Sequence, residues 1–295
     1  MPTNQQRRAT AKRKLERQLE RRAQRARKRR IWTIAGLSVL AVAVVAAVVA
    51  GVVWTNKSSG KQPAGTSAGA SKTPAQDTAA PGGATPLPPF SAPADLGANC
   101  TYPASPEPAS KPIQPPRTGK VPTDPATVSA SVMTNQGPVG IQLDNAKAPC
   151  TVNSFSNLAQ KGFFDNTPCH RLTTAPELAV LQCGDPTGSG TGGPGYQFAN
   201  EYPTNQYKPD DPALQQPVIY PRGTLAMANA GPGTNGSQFF MVYKDSQLPP
   251  NYTAFGTIDA TGLATLDKIA AAGVAGGGQD GKPATGVTIQ SVRLD

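Results

Sequence analysis

The most constraining feature of the sequence is an apolar stretch from Ile31 to Trp54, which contains no charged residue and no proline. Its 24 residues would extend roughly 36 Å as an α-helix, enough to cross a hydrocarbon core of about 30 Å. Trp32 and Trp54 lie at its two ends, where indole rings favour the membrane interface. Because the apolar region of a cleaved signal peptide is shorter, about 7–15 residues, the stretch predicts one transmembrane helix over residues 31–54.

The net charge of +10 is concentrated before this stretch. Residues 1–30 contain 13 Lys/Arg and two acidic residues, a net of +11, whereas the rest of the chain has a net charge of −1. Residues 16–30 contain eight Lys/Arg and residues 55–69 contain two, so the positive-inside rule predicts a single-pass protein of the cell membrane with a cytoplasmic N-terminus. We expect residues 31–54 and the basic tail to contact membrane lipid. Nucleic acid is the alternative partner of such a tail, but none is expected.

The chain after residue 54 divides into a linker and a domain. Residues 55–125 are rich in Pro, Gly and Ala, with 15 prolines and 7 glycines, a composition that predicts a disordered linker. Residues 126–295 suffice for one domain, expected to be monomeric and extracytoplasmic. Its apolar alternation predicts eight strands, and helical spacing predicts helices over 151–161 and 262–272. We therefore expect a mainly β fold, a closed antiparallel β-barrel of about eight strands capped by two helices.

Four cysteines follow the predicted span, on the side where disulfides persist. Cys169 and Cys183 lie on neighbouring predicted strands, which favours a bond between them and leaves Cys100 to pair with Cys150. Four free buried thiols are the alternative. The cysteines lack the C-x-x-C spacing of a zinc site, and His170 is the only histidine. We therefore expect no metal.

Several enzyme classes are excluded by their missing motifs. The sequence has no H-E-x-x-H and no Walker loop. Residues 231–236 fit G-x-G-x-x-G, but a strand pattern follows where a dinucleotide site requires a helix. What remains is a set of apolar segments with a few polar side chains, which contain Arg171, Gln182 and the stretch Met227–Phe240.

These segments resemble the motifs of the cyclophilins. Met227–Phe240 resembles the cyclophilin signature that ends in Ser-Gln-Phe-Phe, and Phe164–Arg171 resembles the strand that carries the family's catalytic arginine. Further matches in the family's order are Gln182–Asp185, Thr191–Gly193, Phe198–Glu201 and Phe255–Gly256. The resemblance covers roughly residues 126–295, and the whole chain is similar to membrane-anchored cyclophilins of actinobacteria.

The resemblance implies a peptidyl-prolyl cis-trans isomerase that assists the folding of exported proteins. Its substrates would be proline-containing polypeptides, and no cofactor would be needed. The barrier of about 18–20 kcal/mol arises because the amide loses its resonance as it twists. An arginine beside an apolar proline pocket lowers this barrier if it binds the twisted amide more tightly than either planar form. The alternative is a membrane-tethered binding module or holdase for proline peptides, with little turnover.

The site residues are carried over from the family by position. Arg171 is the expected catalytic donor, and Phe239 is expected in the core. The substrate-binding residues implied by the resemblance are Gln182, Val180, Ala228, Asn229, Gln238, Phe240, Leu248 and Tyr252. Ten residues separate Arg171 from Gln182, more than the common family spacing, and Ala179 and Val180 stand where Phe and Met are usual. We therefore expect a thinner pocket wall, or one filled from the inserted turn at residues 173–177.

Overall fold

The computed structural model describes residues 83–295; the predicted basic tail, transmembrane helix and first part of the linker lie outside the described residues. Within residues 83–295, no helix has the length and apolar character needed to span a bilayer. The helices are α1 (Pro149–Gln160) and α2 (Ala260–Ala272). The strands are β1 (Thr85–Pro86), β2 (Val128–Thr134), β3 (Gly137–Leu143), β4 (Thr167–Pro168), β5 (Arg171–Thr173), β6 (Val180–Cys183), β7 (Val218–Tyr220), β8 (Thr224–Met227), β9 (Phe239–Val242), β10 (Ser246–Leu248), β11 (Ala254–Ile258), β12 (Asp280–Gly281) and β13 (Thr288–Leu294).

Ten of these strands form one antiparallel sheet in the order β12-β5-β6-β9-β8-β11-β3-β2-β13-β4. A second sheet has the order β1-β7-β10, with β1 parallel to β7. The mainly β fold with two helices is confirmed, but the closed barrel is wrong: the large sheet curls into a half-barrel, and among the described residues no ladder joins β12 to β4. Both end strands have only two residues. In addition, Pro168 in β4 lacks the N–H that a further ladder would need.

The two helices lie where apolar spacing predicts them. Pro149 occupies the first turn of α1, a position that requires no intrahelical N–H bond, and the helix buries Phe155. At the start of α2, the Asp259 carboxylate accepts a hydrogen bond of 2.6 Å from the N–H of Gly262. The helix ends at Gly273, whose φ of +76° is accessible to glycine without strain.

An aromatic cluster forms the centre of the core. The Phe155 ring lies 5.0 Å from that of Phe164, 5.4 Å from Phe239 and 5.3 Å from Phe255, measured between centroids. Such pairs contribute about 0.5–1.5 kcal/mol each beyond the burial of their area. Phe239 is fully buried there, which confirms its expected place in the core and leaves the next residue of β9 facing the opposite side of the sheet.

Residues 83–125 pack against the domain, although their composition predicted a linker. Cys100, Tyr102 and Val121 are buried, and Lys111 Nζ donates to the Phe163 carbonyl at 2.8 Å. The predicted domain boundary at residue 126 is therefore corrected, because residues 83–125 belong to the folded unit. The composition argument failed because these side chains are buried in the core of the following domain rather than in a core of their own.

Both predicted disulfide pairings are confirmed. Cys100 is bonded to Cys150 at the start of α1, which fixes the N-terminal segment to the domain. Cys169 is bonded to Cys183 in β6. Within residues 83–295 no cysteine is free.

Candidate active site

One row of the sheet carries the centre of the candidate site. The ladder register pairs Arg171 of β5 with Gln182 of β6, Gln182 with Phe240 of β9, and Phe240 with Ala226 of β8. Side chains that are directly opposite in a sheet lie on the same face. The row therefore aligns a guanidinium, an amide and an aromatic ring on the face opposite Phe239.

A small cavity of about 180 Å³ lies over this row. Its size is below the roughly 300–1,000 Å³ of pockets for drug-sized ligands, so it suits a single small side chain. Its lining comprises Arg171, Leu178, Val180, Gln182, Ala228, Asn229, Phe240, Leu248 and Tyr252. This set contains no Ser, Cys, Lys, Asp, Glu or His, so the site can bind and polarise a ligand but offers no strong nucleophile.

The predicted site residues thus gather at one place. Tyr252 packs edge-on against Phe240, with ring centroids 5.7 Å apart, and its carbonyl accepts a hydrogen bond of 2.8 Å from the Tyr220 hydroxyl. Asn229 is held by a bond of 2.8 Å from its Nδ2 to the Asn251 carbonyl. The expected thin wall beside Val180 is covered by Leu178, which follows the inserted turn.

Gln238 lies next to this cavity rather than in it. Gln182 Nε2 donates to Gln238 Oε1 at 2.9 Å, and Gln238 Nε2 donates to the carbonyls of Gly190 and Gly192 at 3.0 Å each. Gln238 therefore holds Gln182 and lines a second, adjoining cavity. Its contact with Gln182 places it behind that residue, as a support.

The glycine loop that holds Gln238 is itself built around Asp185. This carboxylate is buried and accepts backbone hydrogen bonds from Gly190 at 2.7 Å and Gly192 at 3.0 Å. It also accepts a backbone bond from Thr187 at 2.7 Å. Burial acts to raise the pKa of Asp185, but the pKa is lowered, because the Thr187 hydroxyl and these backbone donors favour the charged form.

Arg171 is held by a carboxylate that the sequence did not reveal. Asp280 of β12 accepts from Arg171 Nε at 2.8 Å and from Nη2 at 2.7 Å, a two-point ion pair. On the opposite side, Arg171 Nη1 donates to Gln182 Oε1 at 3.3 Å. The hydrogen bond from Arg171 lowers the pKa of Asp280, and the same bond raises the pKa of Arg171. Arg171 is therefore a permanent cation with a restrained orientation.

His170 takes no visible part in this network. Its Nδ1 is buried and has no hydrogen-bond partner among residues 83–295. Burial lowers its pKa, and the positive charge of Arg171 lowers it further, although Asp185 opposes both effects. A neutral imidazole beside the cavity contributes no second cation to the site.

The fold and this site define a class of protein in which a small, mainly apolar cavity on a curled β-sheet lies beside a fixed guanidinium. Residues 129–294 match the family described as cyclophilin type peptidyl-prolyl cis-trans isomerase/CLD. The match spans more than half of the chain, which therefore belongs to this family of enzymes.

Two mycobacterial relatives extend the similarity. The chain is 64% identical over 295 residues, the whole of both chains, to "Probable peptidyl-prolyl cis-trans isomerase B" of Mycobacterium leprae. It is 74% identical over 212 residues to the protein of the same name from Mycobacterium tuberculosis, covering 72% of this chain and 69% of that one. A Cryptosporidium parvum cyclophilin, solved in the presence of the dipeptide Ala-Pro, is 30% identical with a TM-score of 0.45, covering 57% of this chain and 98% of that one.

Proposed function

We propose that this isomerase twists Xaa–Pro bonds by gripping the proline ring in the 180 Å³ cavity while Arg171 donates to the twisted amide. The observation that carries the proposal is the register row, which places Arg171 and the Phe240 ring on one face of the sheet, separated by Gln182. Apolar and cationic parts of the site are thereby aligned on a rigid ladder, rather than on loops.

The hydrogen-bond pattern of Arg171 leaves donors for this chemistry. A guanidinium has five N–H groups. Asp280 uses the one on Nε and one on Nη2, and Gln182 uses one on Nη1. With the partners found in residues 83–295, one N–H on each terminal nitrogen is left for a substrate. As the amide nitrogen pyramidalises it gains a lone pair that can accept such a bond, which the planar amide cannot do.

The apolar lining supplies the grip. The space proposed for the proline ring is surrounded by Phe240, Val180, Leu248 and Tyr252. Ala228 and Asn229 are the proposed contacts for the peptide backbone at the edge of β8. Because Arg171 binds the twisted amide better than either planar form, binding energy is realised in the transition state, and the rate rises in both directions.

We also propose the cellular setting: a monomeric enzyme anchored by residues 31–54, with its basic tail on anionic lipid and its domain outside the cell membrane, acting on exported proteins. The charge asymmetry around the apolar stretch supports this orientation. The two disulfides support it independently, since such bonds persist in oxidising compartments.

An isomerisation assay on a proline peptide tests the chemistry, with the full chain in detergent. Arg171→Ala should lower kcat by about 10²–10³, the usual loss for one preorganised donor. Arg222→Ala is the matched control, because Arg222 also forms a two-point pair, from Nη1 and Nη2 to Asp267, away from the cavity. Its kcat should stay near that of the wild type. Equal, near-background rates for wild type and Arg171→Ala, with peptide binding retained, would instead establish the holdase.

Protease treatment of intact cells tests the orientation. The domain should be digested from outside, while a tag at the N-terminus should survive until the membrane is opened. Deleting residues 1–30 should disturb this orientation and leave the activity in detergent unchanged. If the domain resisted the protease in intact cells, the proposed orientation in the membrane would be contradicted, whereas the proposed isomerase mechanism would be unaffected.

A further inference from the structure

The small cavity opens into a larger one of about 690 Å³. Gln182, Ala228 and Asn229 line both. The two cavities therefore form one continuous groove, and a peptide whose proline lies over Phe240 would extend a neighbouring part of its chain into the larger cavity.

Ser105 and Glu107 line one side of the larger cavity, and they belong to a segment, residues 103–110, outside the family match at 129–294. This segment runs along residues 193–197 by backbone hydrogen bonds. The donors and acceptors are Ser105 N to Gly195 O at 3.0 Å, Gln197 N to Pro103 O at 2.9 Å, and Ser110 N to Gly193 O at 2.8 Å. The segment is thus fixed at both ends of the wall it forms.

Glycines allow this close approach. A Cβ on Gly195 would lie 2.8 Å from the backbone nitrogen of Ala109, and the φ of Gly195 is +77°. A Cβ on Gly192 would lie 2.5 Å from Ser110 Oγ and 2.1 Å from Asp185 Oδ1. All three distances are shorter than a Cβ tolerates, and those to Ala109 and Ser110 show that residues 103–110 pack directly against the glycine loop.

This segment gives the larger cavity its one charged residue. Glu107 is the one formally charged residue among those that line the larger cavity. It is exposed, and among residues 83–295 it takes part in no ion pair. A carboxylate among the otherwise neutral lining of the larger cavity favours a cationic ligand group there, apart from the Arg171 guanidinium of the small cavity.

We propose that residues 103–110 are a substrate-facing wall, and that Glu107 selects proline segments carrying a Lys or Arg within a few residues of the proline. This inference rests on the proposed function, since it assumes that the groove holds the peptide. Because Glu107 is exposed to solvent, we expect a preference of about two- to five-fold at low salt. The preference should shrink as salt is raised, since the screening length falls from about 30 Å at 0.01 M to about 10 Å at 0.1 M.

The test compares kcat/KM for proline peptides that carry Lys, Ala or Glu at each of the positions flanking the proline. The full chain in detergent should prefer Lys over Ala and Ala over Glu at one position or more. In Glu107→Gln the three peptides should have similar kcat/KM, and in Glu107→Lys the order of kcat/KM should be reversed. Asp95→Asn is the matched control: Asp95 is an exposed acid of the same N-terminal segment but does not line the groove, so its variant should keep the order.

Two failures are distinguishable. Background rates with every peptide would overturn the proposed isomerase function. Normal rates with the same value for Lys, Ala and Glu peptides, or an order that Glu107→Gln leaves unchanged, would overturn the role of Glu107 and leave the isomerase standing.

Discussion

Replacing Asp280 by asparagine should slow isomerisation by releasing Arg171 from one side. Asp280 accepts from two guanidinium nitrogens at 2.8 and 2.7 Å. Asparagine has one acceptor in place of two and no charge, so the two-point pair cannot persist. Arg171 would then be held mainly by its longer bond to Gln182, at 3.3 Å, and would spend more time in orientations that miss the amide.

The size of the effect follows from exposure. The side chains of Arg171 and Asp280 are 38% and 56% exposed, which places the pair among solvent-screened ion pairs worth about 0.2–1 kcal/mol. At about 1.36 kcal/mol per tenfold in rate, this corresponds to a loss of about 1.4- to 5-fold. The loss should appear in kcat rather than KM, because the proposed bond from Arg171 to the amide exists only in the transition state.

The assay is peptide isomerisation by the full chain, with Asp267→Asn as the matched control. Asp267 pairs with Arg222 at 2.8 Å and has a side-chain exposure of 50%, against 38% for its arginine. Both variants should lose similar stability in urea, whereas only Asp280→Asn should lose kcat. In an Arg171→Ala background, Asp280→Asn should have no further effect, since Asp280 is proposed to act through Arg171.

Three results would refute this reasoning. A loss as large as that of Arg171→Ala would mean that Asp280 itself acts on the substrate. A kcat equal to that of Asp267→Asn would mean that the pair does not orient the guanidinium. A further loss in the Arg171→Ala background would show that Asp280 works through another group.

Two further predictions concern stability. Burial raises the pKa of Glu201 from 4.5 to about 6. The contribution of this group to the free energy of unfolding is therefore fully present below pH 4.5, and about 2 kcal/mol is lost as the pH rises through 6. The free energy of unfolding of Glu201→Gln, measured in urea, should therefore not fall over this pH range as that of the wild type does. If the two free energies changed with pH in parallel, the prediction would be contradicted. Replacing both Cys169 and Cys183 by serine should lower stability by about 3 kcal/mol. It should also lower kcat, because the bond lies two residues before Arg171 and one after Gln182; the Cys100/Cys150 double variant should lose stability alone.

The candidate site was largely predictable because a strand has a period of two. Once Phe239 is placed in the core, Phe240 must face the other side of β9. The same alternation separates Leu181 from Gln182 in β6 and Leu172 from Arg171 in β5. Alternation does not give the register between strands, however. The alignment of Arg171 with Gln182 therefore needed either the structure or the resemblance to a known family.

Asp280 and the open sheet could not be predicted in this way. Asp280 lies 109 residues after Arg171, in a strand of two residues, which is too short to show any periodicity. Its neighbours Gly277, Gly278 and Gly281 favour a turn prediction instead. The same shortness explains the wrong barrel closure, since the strands at the two ends of the sheet are the ones whose pattern is weakest.

The N-terminal segment shows where a composition argument reaches its limit. Low apolar content predicts disorder because a segment must offset its own ordering entropy by its own burial. That condition is relaxed when the chain is cross-linked to a folded body.

The disulfide Cys100–Cys150 spans 50 residues, and closing such a loop in the unfolded chain corresponds to about 4 kcal/mol. With part of the ordering entropy already removed, a few anchors such as Tyr102 and Val121 suffice to hold the segment. Its prolines help for the same reason, because a restricted unfolded chain has less freedom to lose. A cysteine in a proline-rich tract is therefore a sequence signal for ordered structure, and here it places Glu107 at the groove.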